Sequence, residues 1–246
     1  MFNLQKLNYK QIEMCNRTIS SNTFYLLVSN AIIANKPLSV VRMADGERHF
    51  FKNCRIGKLT DLATPPAGHN DTWMEWMGCK GITKKEMLKR LRLAMKSDYF
   101  APSITGITLK TFDVHDEFYW KWFSPKIYVD NFFPNAWDEE MKINLFKLAK
   151  HVVFIHRTTS TADAMQIRAK KFGVKVTYIK LTNWQEADEV AMQASRVDAP
   201  LVIFSGGPAS KYIGNYIAHH GSPKVALDIG QAADRWTFLS LNVKKG

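Results

Sequence analysis

The chain has 246 residues, 46% hydrophobic and 23% charged, enough apolar material for a sizeable core and too much for a disordered chain. No apolar run approaches the ~20 residues that cross a bilayer, and residues 1–10 form no apolar signal region, so a cytoplasmic protein is expected. The formal net charge of +12 points to a polyanionic partner: nucleic acid, an anionic membrane surface or a phosphate-rich substrate. Cys15, Cys54 and Cys79 are widely spaced and form no CxxC pair, so they suggest neither a zinc site nor a disulfide framework.

Residues 1–36 read as an N-terminal helical segment. From about residue 8 to 35, Ile12, Ile19, Leu26, Leu27 and Ile32 or Ile33 space loosely to one buried face, and Lys36-Pro37 ends the helix. Residues 38–43 form a short, β-branched apolar run, the pattern of a buried strand. The run breaks into Asp45-Gly46-Glu47 and resumes as helix. Two carboxylates around one glycine at a strand end make a compact acidic clamp, with hard oxygen ligands for Mg²⁺ or Mn²⁺. Arg42 and Arg48 flank it and can hold phosphate oxygens. An acidic first turn that suits the helix dipole is the plainer reading of the tripeptide alone.

Residues 53–81 read as a long loop, with Thr64-Pro65-Pro66-Ala67-Gly68-His69-Asn70 at its centre and the length of a lid or binding loop. Trp73, Trp76 and Met77 fit a short helix sealing it. Residues 82–97 predict a helix, capped by Thr83 with Glu86 completing a capping box. Its apolar face is Met87, Leu88, Leu91, Ala94 and Met95. Lys85, Lys89, Arg92 and Lys96 fall on another stripe, either a solvated face or a track for a polyanion. A short strand is expected within 99–107. The aromatic run 116–123 is either core or a stacking wall for a sugar ring or a base, with Trp120 and Trp122 joining Trp73 and Trp76 as candidate stacking contacts. Residues 126–129 fit another strand, and Phe133-Pro134-Asn135 reads as a turn.

From 137 to 235 the pattern is regular. Helices at 137–150, 161–172, 184–197 and 208–220 alternate with strands at 151–156, 174–179, 200–205 and 224–229. Apolar strands alternating with amphipathic helices predict an α/β chain with a mostly parallel sheet covered on both faces. One domain over 1–246 is expected, with 38–135 as its first half and 137–235 as its second. Ligands of such sheets sit beyond the carboxyl ends of the strands. Four strand ends carry polar chemistry: Asp45-Gly46-Glu47, His156-Arg157-Thr158 with Thr159 and Ser160 as candidate caps, Ser205-Gly206-Gly207-Pro208, and Asp228-Ile229-Gly230. The glycine turn lacks GxGxxG spacing and a Walker lysine, so it is neither a dinucleotide fingerprint nor a P-loop.

Val41-Arg42-Met43-Ala44-Asp45-Gly46-Glu47 resembles the Arg-Phe-Gly-Asp-Gly-Glu signature of the GT-D-fold glycosyltransferases. Phe204-Ser205-Gly206-Gly207-Pro208-Ala209-Ser210 and Leu227-Asp228-Ile229-Gly230 resemble that family's closing strand-loop-helix and strand. Met43-Ala44 replaces Phe-Gly, Gly206 stands where a bulkier residue is expected, and Gln231 stands where the family often has His. The resemblance implies a Rossmann-like fold, a nucleotide-sugar donor with a UDP-sugar expected, and a divalent metal, Mn²⁺ or Mg²⁺. It carries the acidic signature over to Asp45 and Glu47 as metal or donor contacts, with one carboxylate as an alternative base toward the acceptor hydroxyl.

The expected donor and phosphate contacts are Arg42, Gly46, Arg48, His156, Arg157, Thr158, Ser205, Gly206, Gly207 and Asp228. The basic stripe leans the acceptor toward a hydroxymethylated base in DNA, nearly even with a bacterial surface glycan or glycoprotein. A lipid-linked acceptor at a membrane surface explains the charge equally well. A metal-dependent nucleotide phosphohydrolase and a non-catalytic nucleic-acid-binding module are the rival classes.

Overall fold

A computed structural model describes residues 16–43, 45–102 and 128–237, and the Asp45 side chain lies outside the described set. In chain order the strands are β1 (Thr18–Ile19), β2 (Leu38–Met43), β3 (Tyr99–Pro102), β4 (Tyr128–Val129), β5 (His151–His156), β6 (Lys175–Lys180), β7 (Leu201–Phe204) and β8 (Val225–Asp228). The α-helices are α1 (Ser21–Ile33), α2 (Asp45–Asn53), α3 (Asp71–Trp76), α4 (Lys84–Ala94), α5 (Phe133–Ala136), α6 (Glu139–Ala149), α7 (Thr159–Lys170), α8 (Ala187–Arg196), α9 (Ile213–His219) and α10 (Ala233–Trp236).

The strands form one all-parallel sheet in the order β1-β4-β3-β2-β8-β7-β5-β6. The chain runs outward from β2 through β3 and β4, then restarts at β5 on the other side of the centre. β7 and β8 fill the middle, so residues far apart in sequence meet at the ends of β2, β8, β7 and β5.

Both faces of the sheet are buried, which is why its strands read as continuous apolar runs. Side chains alternate across β2: Val41 and Met43 enter one core, Leu38 and Val40 the other. The first core takes Phe50 from α2, Met87 and Leu91 from α4, Val190 from α8, and Ile213 and Ile217 from α9. The second takes Phe24 and Val28 from α1, Phe146 from α6, Met165 from α7 and Trp236 from α10. There Phe24, Phe133, Trp137 and Trp236 make a run of ring contacts 5.0 to 6.1 Å apart.

The N-terminal segment differs from expectation. A strand, β1, precedes the helix, because the Ser20 hydroxyl accepts from Thr23 N–H at 3.1 Å and starts α1 there. The buried face of α1 is Phe24, Val28, Ala31 and Ile32, leaving Leu26 and Ile33 exposed. Ile12 lies outside the described residues. Phe133-Pro134-Asn135 is not a bare turn but the start of α5, where proline at the first helical turn needs no donor. The 116–123 aromatics, including Trp120 and Trp122, lie outside the described residues. α4 has the expected Thr83 cap, accepting from Glu86 N–H at 3.2 Å, but the Glu86 carboxylate turns to Arg90 Nε at 2.8 Å.

Candidate active site

A cleft of about 540 Å³ opens at the carboxyl ends of β2, β8, β7 and β5. Strand register builds its floor. Val40 of β2 pairs with Leu227 of β8, so Asp228 follows beside Arg42, and the Arg42 N–H donates to Asp228 Oδ2 at 3.0 Å. On the other side of β8, Phe204 pairs with Asp228, which brings the Ser205-Gly206-Gly207 turn alongside.

Lys211, which directly follows the 3-10 turn Pro208–Ser210, is the centre of the floor. Its Nζ lies 2.6 Å from Asp228 Oδ2 and 3.3 Å from Glu47 Oε1. All three are buried: Lys211 is 6% exposed, Glu47 3% and Asp228 1%. Burial alone would push the lysine down, but Asp228 and Glu47 outweigh it and hold the ammonium above its ordinary value. Asp228 is used in full by its own chain, since Oδ1 also accepts from Gly230 N–H at 3.1 Å.

Arg42 is likewise held from within. Nε donates to Asn131 O and Oδ1 at 2.8 and 3.0 Å, and Nη1 to Ile229 O at 2.6 Å. Burial lowers its pKa, opposed by Asp228, Glu47 and Asp130.

A second network fixes the Lys211 segment from behind. The neighbouring Tyr212 hydroxyl accepts from Arg90 Nη1 at 2.8 Å and donates to Asp188 Oδ1. The buried Arg90 guanidinium also lies over the Trp184 and Tyr212 rings, 5.1 Å from each. Burial, reinforced by Asp188, raises the Tyr212 pKa, so the phenol stays protonated.

The roof comes from residues 53–81. Pro66, His69, Trp73, Trp76 and Met77 line the cleft, with the His69 and Trp73 rings stacked at 4.9 Å. Arg157 fastens this roof to the sheet, because its Nη1 donates to the carbonyls of Glu75 and Trp76 at 2.7 and 2.6 Å, the exposed end of α3. Gly207 sits underneath with φ +72°, and a Cβ there would lie 2.2 Å from the Met77 carbonyl oxygen, so only glycine lets turn and roof approach.

The far wall is His156, Thr158, Gln231 and Asp234. Thr158 N–H donates to His156 Nδ1 at 3.1 Å, which puts the proton of the neutral ring on Nε2. Burial lowers the His156 pKa, partly offset by the nearby Thr158 carbonyl and by Asp234, so this ring is a neutral hydrogen-bonding group near pH 7. Thr158 occupies the cap position of α7 but makes no side-chain cap bond, so neither Thr159 nor Ser160 plays the expected capping role.

Among the expected site residues, Arg42, Gly46, Glu47, Trp73, Trp76, His156, Arg157, Thr158, Ser205, Gly206, Gly207 and Asp228 all border this cleft. Arg48 is half-buried on α2 and is not part of the lining. Lys85, Lys89, Arg92 and Lys96 are exposed on and just past α4, away from it. Trp120, Trp122 and the Asp45 side chain lie outside the described residues. Lys211, Arg90 and Asp234 escaped the sequence reading; the signal for Lys211 was a lysine three residues past a Gly-Gly-Pro strand end.

Glu47 shares its carboxylate with an ammonium. Among the described residues, no three His, Cys, Asp or Glu side chains come together to hold a metal ion. Cys54 and Cys79 are buried, their thiols pushed up to about 11 and about 12 by burial, so neither offers a ready thiolate. No helix among the described residues is long and apolar enough to cross a membrane.

Comparison with curated proteins and with solved structures found no match. A family model does match: residues 19–236 fit the GT-D fold-like domain, so the chain belongs to the GT-D-like family, for which glycosyl transfer is the implied activity.

Proposed function

We propose that the protein moves a sugar from a nucleotide-sugar donor, a UDP-sugar, to an acceptor hydroxyl. The observation that carries this reading is the Lys211 ammonium held between Glu47 and Asp228 beneath a glycine turn and an aromatic roof. The donor diphosphate is assigned to the Ser205-Gly206-Gly207 turn, where backbone can approach phosphate closely. Arg42 and Lys211 below it supply fixed positive charge as the diphosphate leaves. Trp73 and Trp76 cover the sugar. In the transfer the acceptor oxygen bonds to the anomeric carbon. The bond from that carbon to the diphosphate breaks with its electrons on the leaving phosphate, and the acceptor proton passes to a carboxylate, Glu47 or Asp45. The proposal includes a divalent ion, Mn²⁺ or Mg²⁺, which would neutralise the diphosphate when bound, with Asp45 and Glu47 as its protein contacts; no step above depends on it.

For the acceptor, the exposed stripe Lys85, Lys89, Arg92 and Lys96 supports a polyanionic carrier. A hydroxymethylated base in DNA uses that charge, and a lipid-linked acceptor at a membrane surface uses it equally well, whereas a soluble surface glycan does not.

The test is a donor screen: a panel of nucleotide sugars, with and without Mn²⁺ or Mg²⁺, with and without hydroxymethylated duplex DNA, reading released nucleotide. Expected is release from one donor, lost in Glu47→Ala and Asp45→Ala. Dependence on DNA supports the DNA acceptor. Release that ignores every acceptor and consumes water favours the phosphohydrolase class. No turnover of any donor, with both variants unchanged in DNA binding, overturns the enzyme reading.

A further inference from the structure

We infer that the loop over residues 55–62, together with the adjoining basic face of α4, is a docking surface for an anionic lipid bilayer. This goes beyond the transfer reading and does not rest on it.

Three aliphatic side chains stand out of this loop: Ile56 is 63% exposed, Leu59 47% and Leu62 58%. The loop is held in shape by its own backbone. Lys84 N–H donates to Asp61 O at 2.8 Å, Lys85 N–H to Leu59 O at 2.9 Å, and Ala63 N–H to Ile82 O at 2.9 Å. Lys84 Nζ closes it further, donating to Ile56 O at 2.9 Å. The aliphatics are therefore presented to solvent by an ordered scaffold, and such a cluster marks an interaction site.

Exposed cations surround them: Arg55, Lys58, Lys85, Lys89 and Arg92. Arg55 is close enough to Arg92 for the two charges to oppose one another. The acids nearby are already faced by cations, Asp61 by Lys84 Nζ at 3.3 Å and Glu86 by Arg90 Nε at 2.8 Å and Lys89 Nζ at 3.7 Å. The surface is thus basic with an aliphatic centre.

A DNA backbone offers such a surface phosphates but gives the aliphatics nothing to enter. A bilayer interface offers both: anionic headgroups for the lysines and arginines, and the acyl boundary for Ile56, Leu59 and Leu62. The same segment runs on to Pro66, His69, Trp73 and Trp76 in the cleft roof.

The test is co-sedimentation of the full chain with vesicles of phosphatidylcholine alone and of phosphatidylcholine with phosphatidylglycerol, beside a duplex DNA titration. Expected is binding to the anionic vesicles only, weakened by salt. The triple variant Ile56→Ser, Leu59→Ser, Leu62→Ser should weaken vesicle binding about tenfold or more at unchanged net charge. Lys85→Ser with Lys89→Ser should weaken it as well. A melting curve checks the triple variant's fold; should it unfold, Ile56→Ser alone must still weaken binding measurably. The proposal is overturned if neither vesicle is bound, if vesicle binding ignores the aliphatic changes, or if duplex DNA is bound more tightly than the vesicles and equally well by the triple variant.

Discussion

Arg42 and Lys211 lie under the cleft with their charges met by acids and carbonyls of the same chain, whereas Lys85, Lys89, Arg92 and Lys96 stand in solvent along α4. Both sets are ordinary basic residues in a chain of net charge +12. The difference is in what must accompany them. A buried ammonium is tolerable only with carboxylates a few ångströms away, and those carboxylates are tolerable only with the ammonium. An exposed cation keeps its hydration even beside an acid, as Lys89 does 3.7 Å from Glu86, and contributes more to long-range attraction than to the fold.

The comparison predicts a steep gradient of effects. The largest is at Lys211→Met, which leaves Glu47 and Asp228 buried without their shared cation. A loss of about 3–5 kcal/mol of stability is expected, read by urea denaturation. Adding Asp228→Asn should return part of it, because one of the two uncompensated charges is then gone. Next is Gly207→Ala, where strain at φ +72° and the collision with the Met77 carbonyl should cost about 1–3 kcal/mol and displace the roof. A thermal melt and tryptophan fluorescence of Trp73 and Trp76 read the two consequences.

Arg157→Ala should cost about 1 kcal/mol through the two lost bonds to the α3 carbonyls. Its sharper signature is a donor KM raised more than kcat is lowered, since the roof is loosened and the charged floor is intact. The smallest effect is on the exposed set: Lys89→Ser should change stability by no more than about 0.5 kcal/mol. A loss there comparable to Lys211→Met would break the comparison outright.

A pH titration sharpens it from another side. Burial holds His156 and His49 below the ordinary histidine value. In the window between the depressed and the ordinary value the unfolded chain binds more protons than the folded one. Stability is therefore flat above the ordinary histidine range and falls as pH drops through it. His156→Gln should make that acid-side fall shallower, measured as urea midpoints across the window.

Much of this architecture was readable locally. β2 was bounded correctly at residues 38–43, and the alternation from 137 onward gave each strand and helix to within a few residues. The errors lie where a local signal met a tertiary one. The expected face of α1 shares Ile32 with the buried stripe Phe24, Val28, Ala31 and Ile32 but not Leu26, because that stripe follows from where Ser20 starts the helix. Partners within the chain are also beyond the reach of residue spacing, as Arg42, Asp228 and Arg157 show. In the fold, Asp228 holds Lys211, Arg42 holds two carbonyls, and Arg157 holds the roof.

The sequence by itself determined the α/β class, the parallel sheet and the strand ends at which polar chemistry collects, because apolar periodicity and turn residues act over a few neighbours. Only the tertiary structure decided which charges face one another. Lys211 meets both Glu47 and Asp228 through the order β2-β8-β7, which sets side by side strands that are far apart in the chain. A buried ion pair is fixed by that register and by the exclusion of water, and neither is written in the spacing of the residues themselves.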